Sequence, residues 1–63
     1  MQAPEFKRAL AALGWRQVDA ANRFDVSKAL VSMMASGKTP VPAWIADALD
    51  AAVDAKLAIL ESV

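Results

Sequence analysis

Between Gln17 and Pro42, two short apolar-periodic segments are separated by only three residues, Asp25-Val26-Ser27. A gap this short gives the second segment little choice of direction. Two helices joined by it must cross close to the joint. Ser27 is a hydroxyl N-cap for the segment that follows. Asp25 stands where the chain turns, and Asp tolerates left-handed backbone better than most non-glycine residues.

The rest of the chain reads as helix too. Much of its apolar content is alanine and it has only two glycines, a composition that favours helix over strand. A first helix is predicted from Pro4 to Leu13. Proline suits its opening turn, Glu5 complements the helix dipole, and Gly14 stops it. Phe6, Ala9, Leu10 and Leu13 form one apolar stripe, while Lys7 and Arg8 face outward. A second helix is predicted from Gln17 to Phe24, with Ala20, Ala21 and Phe24 inward. A third runs from Lys28 to Ala35, ended by Ser36-Gly37. Pro40 and Pro42 forbid a continuous helix across Lys38-Thr39-Pro40-Val41-Pro42. A last helix runs from Ala43 to Glu61, roughly 28 Å long. The fold class is therefore all-α, a compact bundle of about four to five helices in a single domain spanning residues 1–63.

Composition narrows the chemistry. The chain has no cysteine, histidine or tyrosine. That removes disulfides, thiolate and imidazole metal ligands and the common general bases and nucleophiles. No acidic pair has the spacing of a catalytic dyad, so the expectation is no enzyme, no cofactor, no metal and no small-molecule ligand. The opening Met1-Gln2-Ala3-Pro4-Glu5 lacks the features of a signal peptide. The longest uncharged run, Ala29 to Gly37, has nine residues, too few to span a bilayer. A cytoplasmic protein without a membrane partner is expected.

Net charge is zero, but it is unevenly spread. Lys7, Arg8, Arg16, Arg23, Lys28 and Lys38 precede Pro40 against Glu5, Asp19 and Asp25, an excess of three positive charges. Beyond it, Lys56 faces Asp47, Asp50, Asp54 and Glu61, an excess of three negative ones. Such asymmetry suits a nucleic-acid face and a remote face, or simply two solvated surfaces.

The two crossing helices have the layout of a helix-turn-helix, whose second helix can enter the major groove of DNA. On the third helix, Leu30, Val31 and Met34 share one arc, expected in the core. Lys28, Ala29, Ser32 and Met33 share another, expected outside. Lys28 can donate to guanine or to phosphate, Ser32 can donate or accept, and Ala29 and Met33 can meet thymine methyl groups. Gln17, at the head of the second helix, can hold a phosphate, and Arg16, Lys38 and Thr39 flank the surface. Plainer roles compete: Met33 as a shield for the core edge, Ser27 as a cap alone, Lys38 as a solvated lysine.

The runs Gly14-Trp15-Arg16-Gln17-Val18-Asp19-Ala20-Ala21 and Val26-Ser27-Lys28-Ala29-Leu30-Val31-Ser32-Met33-Met34-Ala35-Ser36-Gly37-Lys38-Thr39-Pro40-Val41-Pro42 resemble the Cro/repressor-type, lambda repressor-like helix-turn-helix family. The matching positions are Gln17, Ala21, Val26-Ser27, Val31 and Ser36-Gly37-Lys38, and the likeness covers roughly residues 5–52. It implies a compact helical bundle that binds double-stranded operator DNA, commonly as a homodimer. It implies DNA contacts by Arg16, Gln17, Ser27, Lys28, Ala29, Ser32, Met33, Lys38 and Thr39. Arg16 stands where the family usually has Ser or Thr, Asp25 where it has glycine, and Ala29 and Met33 where polar readers are common. Small size resembles phage, plasmid or antitoxin-type repressors.

On the last helix, Asp47, Asp50, Asp54 and Glu61 share one side, and Ile45, Leu49, Ala52, Val53, Ile59 and Leu60 lie broadly opposite. Ile45 and Leu49, with Val53 as a further candidate, are expected to pack on the preceding helices. Val53, Leu57, Ile59 and Leu60 are the expected dimerisation residues, with Lys56 snorkelling or meeting an acid of the second copy. Trp15 and Trp44 flank turns and are expected in the core or an interface. Two functions follow: a sequence-specific DNA-binding repressor, or a protein-interaction module on the same scaffold.

Overall fold

The computed structural model describes residues 1–61, the side chain of Glu61 excepted, and places four α-helices among them. These are α1 (Ala3–Leu13), α2 (Gln17–Phe24), α3 (Lys28–Ser36) and α4 (Ala43–Glu61). The sequence placed α1 one residue short at its start and α3 one short at its end. The extra residue of α1 follows from Gln2, whose N–H donates to Glu5 Oε1 at 3.2 Å, so that the helix begins at Ala3, a residue before the proline. The longest dimension, 38 Å against 20 and 17 Å, reflects the 19 residues of α4.

The first three helices end in the same way. Gly14, Asp25 and Gly37 adopt positive φ of 72°, 54° and 85°. The next residue's N–H then donates back five positions: Trp15 to the Leu10 carbonyl at 2.9 Å, Val26 to Ala21 at 3.0 Å, and Lys38 to Met33 at 3.0 Å. Each is a Schellman closure, which satisfies carbonyls that a helix end would otherwise leave open. Asp25 is the only non-glycine residue of the three. Its turn brings Ser27 into position, and Ser27 Oγ accepts the Leu30 N–H at 3.0 Å to start α3. α4 starts as the Pro42 carbonyl accepts the N–H groups of Ile45 and Ala46 at 3.1 and 3.0 Å.

α3 packs against both α1 and α2, and α1 packs against α4. Phe6, Leu10, Ala20, Ala21, Val31, Met34, Ala35, Ile45 and Leu49 make one buried cluster to which all four helices contribute, with Ala9 at its edge. Leu13, Phe24, Leu30 and Val53 are half-buried around it. Leu30 therefore lies at the rim rather than in the interior, and Ala35 is buried beside Val31 in its place. Alanines at positions 20, 21 and 35 leave room for α2 and α3 to approach closely.

Two contacts beyond the buried cluster join α4 to earlier parts of the chain, one aromatic and one polar. Phe24 stands between the two tryptophans, edge-on to Trp15 at 6.2 Å and to Trp44 at 5.9 Å, so both reach the same ring. Arg23 lies over Trp15 with its guanidinium carbon 4.6 Å from the ring centre, a cation–π contact. Lys56 Nζ donates to the Ala12 carbonyl at 2.7 Å. The Lys56 charge thus meets the carbonyl end of α1 in the same chain, where a cation is favoured by the helix dipole. Asp47, Asp50 and Asp54 are exposed as expected, and the Glu61 side chain lies outside the described residues. No helix among the described residues is long and apolar enough to cross a membrane.

Left-handed backbone costs a non-glycine residue on the order of 1 kcal/mol. Asp25→Gly is expected to raise the melting temperature by a few degrees, and Asp25→Val to lower it by at least as much. Thermal melts followed by circular dichroism check both.

Candidate nucleic-acid interface

α3 presents two contrasting sides. Val31 and Met34 are fully buried and Ala35 nearly so, which fixes the rotation of the helix about its axis. Lys28, Ala29, Ser32 and Met33 are exposed on the other side, Met33 at 39%. The four lie on one arc because they sit at spacings of one, three and four residues. Their exposure is the arrangement that the apolar periodicity implied.

The residues that flank this arc are held by the α3 cap. The Met33 carbonyl accepts from Lys38 N–H at 3.0 Å, from Thr39 N–H at 3.4 Å and from Ser36 Oγ at 3.1 Å. Thr39 Oγ1 lies 3.9 Å from Met33 Sδ. Thr39 is half-buried and Lys38 is exposed. These contacts join Ser36, Lys38 and Thr39 to Met33 as one rigid corner. Ser27 is exposed, and its oxygen accepts the Leu30 N–H, which leaves the hydroxyl its proton to donate and one lone pair to accept.

The other cluster is at the head of α2. Arg16 and Gln17 are exposed there. The Asp19 carboxylate accepts the Arg16 backbone N–H at 2.8 Å and its side-chain Nε at 3.2 Å. Arginine has no acceptor with which to cap α2, so the reach of Asp19 back to the cap residue satisfies this end. The Arg16 guanidinium, hydrogen-bonded to Asp19, holds that carboxyl below its ordinary range, and the Arg16 N–H adds to the effect. The Arg16 side chain stays 79% exposed, and its guanidinium can turn to another anion at small cost, since an exposed pair is worth little. Asp19 was not among the candidate residues. Its signal was the three-residue spacing from the residue preceding the helix.

Charge distinguishes α3 from its neighbours. α1 and α2 carry Glu5 and Asp19 in their first turns, whereas the first turn of α3 has no acid and opens on Lys28. A cation at a helix N-terminus opposes the macrodipole, at a cost on the order of 0.5 kcal/mol. The exposed start of α3 is thus doubly positive, from the lysine and from the helix end. Among the described residues, no hydrogen bond or ion pair ties the side chains of Gln17, Lys28, Ser32 or Lys38 within the chain. No group of acidic residues among those described is arranged to hold a metal ion.

On α4, Leu57, Ile59 and Leu60 are exposed at 52, 65 and 61%. Val53, grouped with them from sequence, is half-buried against the core and lines a groove of about 430 Å³ between α1 and α4 with Glu5, Arg8 and Asp50. Burial sets Val53 apart because it falls opposite the body of α1, which ends at Leu13, short of the last turns of α4. Comparison of the chain with models of known families, with curated proteins and with solved structures finds no match.

Asp19 gives a pH test. Its folded-state pKa lies below its unfolded one, so its contribution to stability is present above the unfolded value of about 3.9 and is lost as pH falls through the folded value. Asp19→Asn is expected to melt below the parent at neutral pH, and the two melting curves should converge in acid below the usual carboxylate range. A gap that persists unchanged in acid would contradict the pairing.

Proposed function

We propose that the protein is a DNA-binding transcriptional regulator of the lambda repressor-like helix-turn-helix kind, acting on a double-stranded operator in the cytoplasm. α2, the turn at Asp25-Val26-Ser27 and α3 form the motif. α3 enters the major groove with Lys28, Ala29, Ser32 and Met33 toward the base edges, while Arg16, Gln17, Ser27, Lys38 and Thr39 hold the backbone. The observation that carries this reading is Lys28. It is exposed, unpaired among the described residues, and placed where it costs the helix stability. A phosphate or a guanine acceptor turns that cost into binding energy.

The active unit in this reading is a twofold homodimer. The exposed Leu57 and Leu60 at the end of α4, with Ile59 between them, supply apolar surface for a second copy. Two copies of α3 then lie about 34 Å apart, in successive major grooves of one face of the duplex. Occlusion of a promoter follows, the action of a small phage, plasmid or antitoxin-type repressor.

A protein-interaction module is the second reading. The exposed Trp44, packed edge-on against Phe24 near Arg23 and Trp15, favours it, since Trp and Arg are frequent anchors of protein interfaces. Failure to bind any duplex at low salt, with a stable protein partner recovered instead, would select it.

Selection from a random duplex pool tests the first reading, and a palindromic product is expected. On that duplex, gel-shift titration should show Lys28→Ala losing on the order of ten-fold in affinity and Lys7→Ala much less. Affinity should fall steeply with salt. Equal losses for the two lysines would remove α3 from the groove.

A further inference from the structure

The exposed side of α3 is short of hydrogen-bonding groups that can tell one base from another. It carries no Arg, Asn, Gln, Asp or Glu, the side chains able to form two-point or strongly directional contacts with base edges. Two of the hydroxyls near it already make one hydrogen bond each. Ser27 Oγ accepts from Leu30 N–H, and Ser36 Oγ donates to the Met33 carbonyl. What remains is Lys28, a mobile point charge that serves phosphate and guanine alike, and the hydroxyls of Ser27 and Ser32, which can pair with either a donor or an acceptor.

The same side carries two apolar groups one turn apart, Ala29 and Met33, both exposed. Met33 is not loosely placed. Its carbonyl accepts hydrogen bonds from Lys38, Thr39 and Ser36 beyond the helix ladder, and its sulfur lies 3.9 Å from the Thr39 hydroxyl. Its neighbour Met34 is wholly buried. Core filling thus falls to Met34, and Met33 is a thioether fixed at its base and held outward at 39% exposure. In the major groove, one base feature is apolar: the 5-methyl group of thymine.

We infer that Met33, with Ala29 beside it, determines sequence specificity by covering a thymine 5-methyl group in each half-site, while Lys28 supplies affinity with little base preference. This inference rests on the duplex-binding reading above. It assigns specificity to an apolar contact on a face whose free polar groups are not selective.

The test uses the intact protein and the duplex selected from a random pool. That duplex is resynthesised with deoxyuridine, which lacks only the 5-methyl group, at each thymidine in turn. One symmetric pair of positions should weaken binding, by about four-fold per methyl, the factor for burying one such group at about 0.8 kcal/mol. Met33→Ala should abolish this sensitivity, Met33→Leu should retain it, and Lys28→Ala should retain it at lower overall affinity. Full tolerance of deoxyuridine at every position, with tight binding of the duplex, would overturn the inference and leave DNA binding standing. Sensitivity that persists in Met33→Ala would overturn the assignment to Met33. Failure of the parent protein to bind any selected duplex would overturn the duplex reading, and this inference with it.

Discussion

The burial of Val31 and Met34 is the constraint on which the rest depends. A nine-residue helix has too few internal hydrogen bonds to be stable alone, so α3 exists because those side chains enter the cluster around Phe6, Ile45 and Leu49. The same burial sets its rotation. Once Val31 and Met34 point inward, Lys28, Ala29, Ser32 and Met33 must point outward. A chain of this size has a small stability margin, and losing either anchor costs on the order of 2–4 kcal/mol. Stability and presentation of the exposed side are therefore one property.

Around that anchor, the chain turns by backbone geometry rather than by side-chain ties. Three Schellman closures, at Gly14, Asp25 and Gly37, reverse the chain with hydrogen bonds that need no particular side chain. The closure at Gly37 also gathers Ser36, Lys38 and Thr39 on the Met33 carbonyl. Asp25 is the exception, a strained residue at the joint between α2 and α3. Its side chain makes no hydrogen bond among the described residues. Glycine there would be less strained but would leave the joint freer in the unfolded chain.

Local features were legible in the sequence, and distant ones were not. Ser27, Gly14, Gly37 and the two prolines marked helix ends because capping acts over a few residues. The outward arc of α3 followed from periodicity, which reports burial of one side whatever covers it. The bond from Lys56 was not legible because its partner, the Ala12 carbonyl, is 44 residues away, and no periodicity reports a backbone carbonyl. The two tryptophans were placed near turns, yet that Phe24 stands between them depends on how α2 meets the start of α4. Val53 reads from sequence both as a packing residue and as a dimerisation residue, and the length of α1 separates it from the exposed Leu57.

We propose that the side of α3 opposite Val31 and Met34 meets duplex DNA. Backbone amide chemical shifts of the labelled protein, titrated with a duplex enriched from a random pool, test it most directly. Saturating shifts are expected to gather on residues 27–33 and at Arg16 and Gln17, with the last turns of α4 little affected. Shifts confined to Trp44 and the outer side of α4, with Lys28, Ser32 and Met33 unmoved, would contradict it.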